Sequence, residues 1–439
     1  MKKPPQLPGA ILMGAQSRLL PPLLPFMFMS AGVIFHLAAW GALVWAADEV
    51  PGYAGGPGPV LAAVHVLTLG VLVMTAMGAA LQLLPVATGM AHKSLLPARL
   101  AWWLMTPGLI ILISGFYLAD VDLMMIGAAP VVLALLIFAG VVGDILRRAL
   151  TLRLTVAFIW LALVSLLGLI GLGVVLIFDI GHGFLSDHAG LGLMHMTLAT
   201  YGFMGMLALG ISNILVPMYA LSPSPPSRSG WLSFVLALVA LLITLAGLMT
   251  GVREVLLSGV LAGLAAVAFH LYAMRWSLAN GMRKNLGLSF VVIKLGWAML
   301  VLSLILGGAV SLGWLGALGV SGGAAMFGFV VLYGWLLTFV TGILQRIIPF
   351  LAAMNMSKRS LKPPRLSELA AEWPLKIHAL CHAAALALCL AGIALDISQI
   401  VRFGALIGCA GAFAFAWFTF SVARSYWTYQ HTPDPVSPT

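Results

Sequence analysis

Three stretches of this 439-residue chain carry the same skeleton of two glycines and a proline. Gly70, Gly78 and Pro85 form the first, Gly202, Gly210 and Pro217 the second, and Gly334, Gly342 and Pro349 the third. Each steps by 8 and then 7 residues, and successive prolines lie 132 residues apart. With 48 Gly and 24 Pro in the chain, composition alone gives roughly 0.3 such patterns. Three in strict register imply an internal triplication, which confines the chain to folds built from three similar units. The middle copy, LMHMTLATYGFMGMLALGISNILVPMY over 193–219, is long and apolar enough to cross a bilayer.

The rest of the chain has the same character. It is 62% hydrophobic and only 8% charged, with a mean hydropathy of +1.10. Repeated apolar runs of about 20 residues predict an all-α integral membrane protein, because helices satisfy their own backbone groups in lipid. We read twelve spans: 22–46, 59–88, 99–119, 123–146, 153–179, 190–217, 230–250, 254–275, 288–313, 323–350, 374–395 and 400–425. The skeleton falls in spans 2, 6 and 10, so the repeat unit is four helices. The chain is then one transmembrane domain of three units, 22–146, 153–275 and 288–425. An even number of spans per unit keeps the orientation, so the units relate by a pseudo-threefold axis along the membrane normal. Residues 351–373 read as a cytoplasmic loop, its 358–373 part a basic solvated segment in preference to a short surface helix, and 428–439 as a disordered tail. MKKPPQLPG reads as a short basic head rather than a cleavable signal.

The net charge of +10 does not point to nucleic acid, because the basic residues cluster in alternate loops. Lys93 and Arg99, Arg147 to Arg153, Arg275 to Lys284 and Lys358 to Lys376 mark one side; Asp48, Asp120, Asp122, Asp179 and Asp187 mark the other. This is the positive-inside distribution of a bacterial-type inner membrane protein with both termini cytoplasmic. Arg253 and Arg402 are exceptions on the outer side. The three cysteines, Cys381, Cys389 and Cys409, lie in late apolar runs without a CxxC, which argues against disulfides and iron–sulfur clusters.

Inside the spans the chemistry available is mainly imidazole. No carboxylate falls near a midplane, which weakens an ion-coupled transporter. A neutral imidazole is the least costly strong ligand for haem iron or copper in a membrane interior. His65 lies 20 residues before Pro85 and His195 lies 22 before Pro217, about 30 and 33 Å from the basic side at 1.5 Å per residue. Their two-residue offset turns one side chain by about 200° relative to the other, which predicts that they serve different clefts. His36 in span 1 is a candidate partner for His65, against a packing role. Met194, Met196, Met74 and Met77 offer thioethers or core packing. His182, Asp187 and His188 in the outer loop suggest a copper or zinc site against a solvated loop. His378 and His382, at i and i+4 beside Cys381, suggest metal without a third ligand. Tyr201 and Tyr333 occupy equivalent positions, open to a haem propionate or a neighbouring helix. Gln82, Asn213 and Gln345 precede the skeleton prolines and are expected to satisfy the backbone groups those prolines free.

The stretches 65–89, 195–219 and 332–351 resemble subunit I of the haem–copper oxidases, most closely its short divergent relatives and the NnrS family associated with nitric oxide response. The resemblance implies twelve spans with threefold pseudosymmetry, His65 at a second-helix haem-ligand position and His195 at a sixth-helix copper-ligand position. It implies b-type haem, with copper in addition, and a nitric oxide or electron-transfer role with a respiratory-chain partner. Spans 7 and 10 lack the histidines of a complete binuclear centre, so a working terminal oxidase is not implied. The rival readings are a transporter of a metal or neutral solute and a non-catalytic assembly or sensor subunit. The charge distribution itself is testable. Lys93→Cys should react with a membrane-impermeant thiol reagent only from the cytoplasmic side and Asp122→Cys only from outside, and the reverse labelling would invert the topology.

Overall fold

In the computed structural model, residues 20–356 and 366–432 are described. Twelve helices are long and apolar enough to cross a membrane. They are α1 Leu23–Ala46, α2 Pro59–Thr88, α3 Leu96–Leu118, α4 Val121–Arg148, α5 Arg153–His182, α6 His188–Ala220, α7 Ser227–Thr250, α8 Arg253–Asn280, α9 Leu288–Ser311, α10 Gly323–Met356, α11 Glu372–Ala394 and α12 Ser398–His431. Each agrees with an apolar run in the sequence to within a few residues. Two ends differ from expectation. α12 continues to His431, so 428–431 is helix rather than tail. α10 continues to Met356, and of the following loop a single turn, Leu366–Leu369, is described. The basic head, residues 357–365 and 433–439 lie outside the described residues.

The helices divide into inner and outer sets. In α2, α6 and α10 the most apolar window is 67, 72 and 83% buried, against 28–50% in the other nine. The three skeleton-bearing helices are therefore the centre of the bundle, and the others spend one face on lipid. α4 packs on α5, α8 on α9 and α12 on α1, so the chain closes into a ring around that centre. On the outer rim Arg402 of α12 pairs with Asp48 beyond α1, which gives the exceptional outer arginine its counter-charge. At the basic end Asp144 gathers Lys93, Arg147 and Arg148 at 2.7, 3.0 and 2.9 Å.

The skeleton glycines have a narrower job than bringing the inner helices together. Each faces the helix immediately before its own. A Cβ on Gly70, Gly202 or Gly334 would lie 2.6 Å from Phe35, 2.7 Å from Ser165 or 3.4 Å from Met299. On Gly78, Gly210 or Gly342 it would lie 2.7, 2.8 or 2.8 Å from Phe28, Phe158 or Ile293. So α1, α5 and α9 seat their side chains directly on the inner-helix backbone, a close approach that lipid-embedded packing relies on. The prolines do not end their helices, and the nearby amides do not repair them. The amide nitrogen of Asn213 bonds to Leu209 O, a turn before the carbonyl that Pro217 leaves free. Gln82 and Gln345 are buried with both amide atoms unpartnered among the described residues.

A second glycine pattern joins α3 to α4, α7 to α8 and α11 to α12. Gly115 and Gly127, Gly247 and Gly259, and Gly392 and Gly404 each press against the opposite helix backbone. Added Cβ atoms would meet Met124 N at 2.5 Å, Leu112 N at 2.3 Å, Leu256 N at 2.8 Å, Thr244 N at 3.0 Å, Val401 N at 2.7 Å and Cys389 N at 3.0 Å. Within each pair the spacing is 12 residues. The turn between each pair of helices holds one left-handed residue, Ala119 at φ 54°, Gly251 at 69° and Asp396 at 57°.

Each inner helix also contains an eight-residue π-helical segment: Val66–Val73, Leu198–Gly205 and Val330–Leu337. These begin 132 residues apart, as the prolines do. Such i→i+5 stretches are rare and concentrate at functional sites. The segment in α10 touches those in both α2 and α6. The packing has a direct test. Gly259→Leu should lower stability by about 1–3 kcal/mol through overpacking, read as a fall in the thermal midpoint in detergent. Gly41→Leu, where nothing lies within 4 Å of an added Cβ, should leave the midpoint unchanged.

Candidate functional site

His65 is the last α-helical residue of α2 before its π segment. Its Nδ1 lies 2.9 Å from Leu61 O one turn earlier. A backbone carbonyl can only accept, so Nδ1 carries the proton and Nε2 the lone pair. The ring lies 4.3 Å from that of Phe116 on α3. His195 precedes the π segment of α6 by one turn, and its Nδ1 lies 2.9 Å from Leu169 O on α5, with the same consequence. Gly173 makes room for it, since a Cβ there would lie 3.0 Å from His195 Cε1. Neither Nε2 takes a hydrogen bond among the described residues. His65 thus lies against α3 through Phe116, and His195 against α5 through Leu169.

Met74 and Met77 are fully buried among apolar neighbours and act as core. Tyr201 and Tyr333 tie helices together. Tyr201 donates to Ser303 Oγ on α9 at 2.8 Å, and Tyr333 donates to Ala39 O on α1 at 3.1 Å.

The outer loop is organised by Asp179, which the sequence presents only as one more outer acidic residue. Its Oδ1 accepts from Leu185 N at 2.6 Å and its Oδ2 holds His188 Nδ1 at 2.6 Å. Asp187 turns to its own helix and caps α6 through Gly190 N at 2.8 Å. His182 is exposed and its Nδ1 lies 2.9 Å from Phe178 O. His182, Asp187 and His188 are thus adjacent in sequence but differently engaged. Among the described residues no three His, Cys, Asp or Glu side chains are grouped to hold a metal ion.

His36 is drawn into a different cluster from the one expected. Its ring lies 5.7 Å from that of His378 on α11, and His378 lies 5.6 Å from His382. All three are 1–2% exposed. Trp40 donates to His36 Nε2 at 3.3 Å, Gly411 O lies 3.2 Å from His378 Nδ1, and Thr338 Oγ1 lies 2.7 Å from His382 Nε2. The i,i+4 spacing of His378 and His382 is visible in the sequence; the third member, on a helix more than 300 residues earlier, is not. His270 is buried beside Trp297. His92, in the loop after α2, reaches Leu81 O at 2.7 Å. Burial, helped by nearby Arg148, holds it below the ordinary histidine value against the opposing pull of that bond.

Asp179 offers the test for this region. Asp179→Ala leaves Leu185 N and His188 without their acceptor, at about 1–3 kcal/mol for an unsatisfied buried group. The segment 183–187 should then become susceptible to protease added from the outer side while the spans stay intact. Unchanged digestion would deny Asp179 its organising role. Compared with known proteins, the chain matches no family model and no curated protein sequence.

Proposed function

We propose that the chain is a multi-pass inner-membrane protein of the haem–copper oxidase-like group, built by triplication of a four-helix unit, whose His65 and His195 hold a b-type haem. The triplication is supported by four features in common register. These are the Gly–Gly–Pro skeleton, the three π segments, the paired-glycine hairpins and the closure of α4 on α5, α8 on α9 and α12 on α1.

The observation that carries the haem reading is the shared state of His65 and His195. Each ring has its Nδ1–H committed to a carbonyl and its Nε2 lone pair uncommitted. A histidine that ligates iron has its other nitrogen hydrogen-bonded in this way, which sets the tautomer and raises its basicity. The donor set therefore fits haem iron. The pseudo-threefold arrangement is what would bring the two rings to one cleft. Equivalent residues of a cyclic ring face successive clefts, so a roughly half-turn offset between neighbouring helices returns both side chains to one cleft.

Bound haem would bind a small gas such as nitric oxide or carry one electron. The chain's own part is to fix two imidazoles through the Leu61 and Leu169 carbonyls, to leave space at Gly173, and to exclude water with apolar spans. Neither α7 nor α10 contains a histidine, so the complete binuclear centre of a terminal oxidase cannot be assembled. Gas binding or electron transfer is the role left. Copper in the outer loop would take His188 through Nε2, since Asp179 holds its Nδ1.

Protein purified from haem-replete cells should carry a Soret band that shifts with dithionite and again with nitric oxide. His65→Ala or His195→Ala should abolish it. A colourless wild-type preparation would overturn the reading.

A further inference from the structure

The cluster of His36, His378 and His382 lies apart from the haem reading and carries its own chemistry. We infer that these three side chains form a buried binding site for one small neutral hydride, a molecule that donates two hydrogen bonds and accepts one, as water and ammonia do.

Hydrogen-bond partners determine where each ring keeps its proton. Indole nitrogen only donates, so Trp40 forces His36 Nε2 to accept and places the His36 proton on Nδ1. Gly411 O only accepts, so His378 is protonated on Nδ1 and bare on Nε2. The Thr338 hydroxyl gives its proton to Tyr333 O at 3.0 Å. It therefore accepts from His382 Nε2–H, which leaves His382 Nδ1 bare.

The second nitrogen of each ring, His36 Nδ1, His378 Nε2 and His382 Nδ1, is buried without a partner. The cluster thus offers one N–H and two lone pairs. The two nitrogens of an imidazole point to opposite sides of the ring. The rings that carry these free nitrogens lie together, His378 5.7 Å from His36 and 5.6 Å from His382.

Charge decides the class of occupant. The polar partners of the three rings among the described residues are the Trp40 indole, the Thr338 hydroxyl and the Gly411 carbonyl, none of them charged. A cation lodged here would stand uncompensated in the membrane interior, which is costly. Among the described residues no three-ligand metal group is formed either. A diatomic gas without hydrogen leaves both lone pairs unmet. A molecule with two X–H bonds and one lone pair satisfies all three nitrogens and replaces three unmet buried polar atoms with a closed set.

The test uses the full chain in lipid, labelled with nitrogen isotope at histidine, by solid-state NMR. Polarisation from water protons should reach His378 Nε2 and His382 Nδ1 and vanish in deuterated water, with His378→Gln and His382→Gln supplying the assignments. Labelled ammonia added at alkaline pH separates the two sources. Contact with the label identifies ammonia, persistence of the water contact identifies water, and either supports the site. In Trp40→Phe, an Nε2–H form of His36 should appear. The inference is overturned if neither nitrogen receives polarisation from either molecule, if either is already proton- or metal-bound, or if wild-type His36 carries its proton on Nε2. The readout contains no haem signal, so its failure and that of the haem reading are distinguishable.

Discussion

Everything in this structure depends on how helices adhere where the surroundings are as apolar as they are. Between spans in lipid there is no hydrophobic force to gain, so contact must come from close backbone packing and from polar groups satisfied inside the bundle. The chain meets this with glycine placed against backbone. In the three hairpins an added Cβ would come within 2.3–3.0 Å of a main-chain nitrogen on the opposite helix. Along the inner helices the skeleton glycines admit a side chain from the preceding helix at similar range. The outer surface can then be Leu, Val, Phe and Trp with no demand for fit, and much of it is exposed.

This division explains what was legible in the sequence. Span number and approximate limits follow from apolar length alone, and the inner position of α2, α6 and α10 follows from their common skeleton. The direction in which the glycines face does not follow from spacing, because a glycine row identifies a close contact without naming the partner. The hairpin glycines were readable in principle. Their 12-residue interval across a short turn recurs three times, but each sits in runs already crowded with glycine. The π segments left no local signal, since VLTLGVLV, LATYGFMG and VVLYGWLL share only the glycine and a general apolarity.

The histidines divide in the same way. His65 and His195 were found because they mark the start of equivalent helices. Their two-residue offset fixes how far each side chain is turned on its own helix, and says nothing of how the neighbouring helix is turned, so spacing alone does not relate the two rings. His36, His378 and His382 could not be grouped from sequence, since they belong to the first unit and the last. They meet only because α12 closes on α1 and brings α11 with it. Ring closure, not local spacing, makes that site.

The two histidine groups have opposite chemistry despite the same residue type. At His65 and His195 both rings give their N–H to a backbone carbonyl and keep a bare Nε2, a set suited to a Lewis acid. At His36, His378 and His382 one ring is held in the other tautomer by Trp40, so a metal would confront an N–H where a third ligand should be. A single indole hydrogen bond thus separates a cluster that resembles a metal site from one suited to a neutral protic molecule. The membrane interior sharpens the distinction, because the rings' partners among the described residues are all neutral and do not offset the charge a cation would bring.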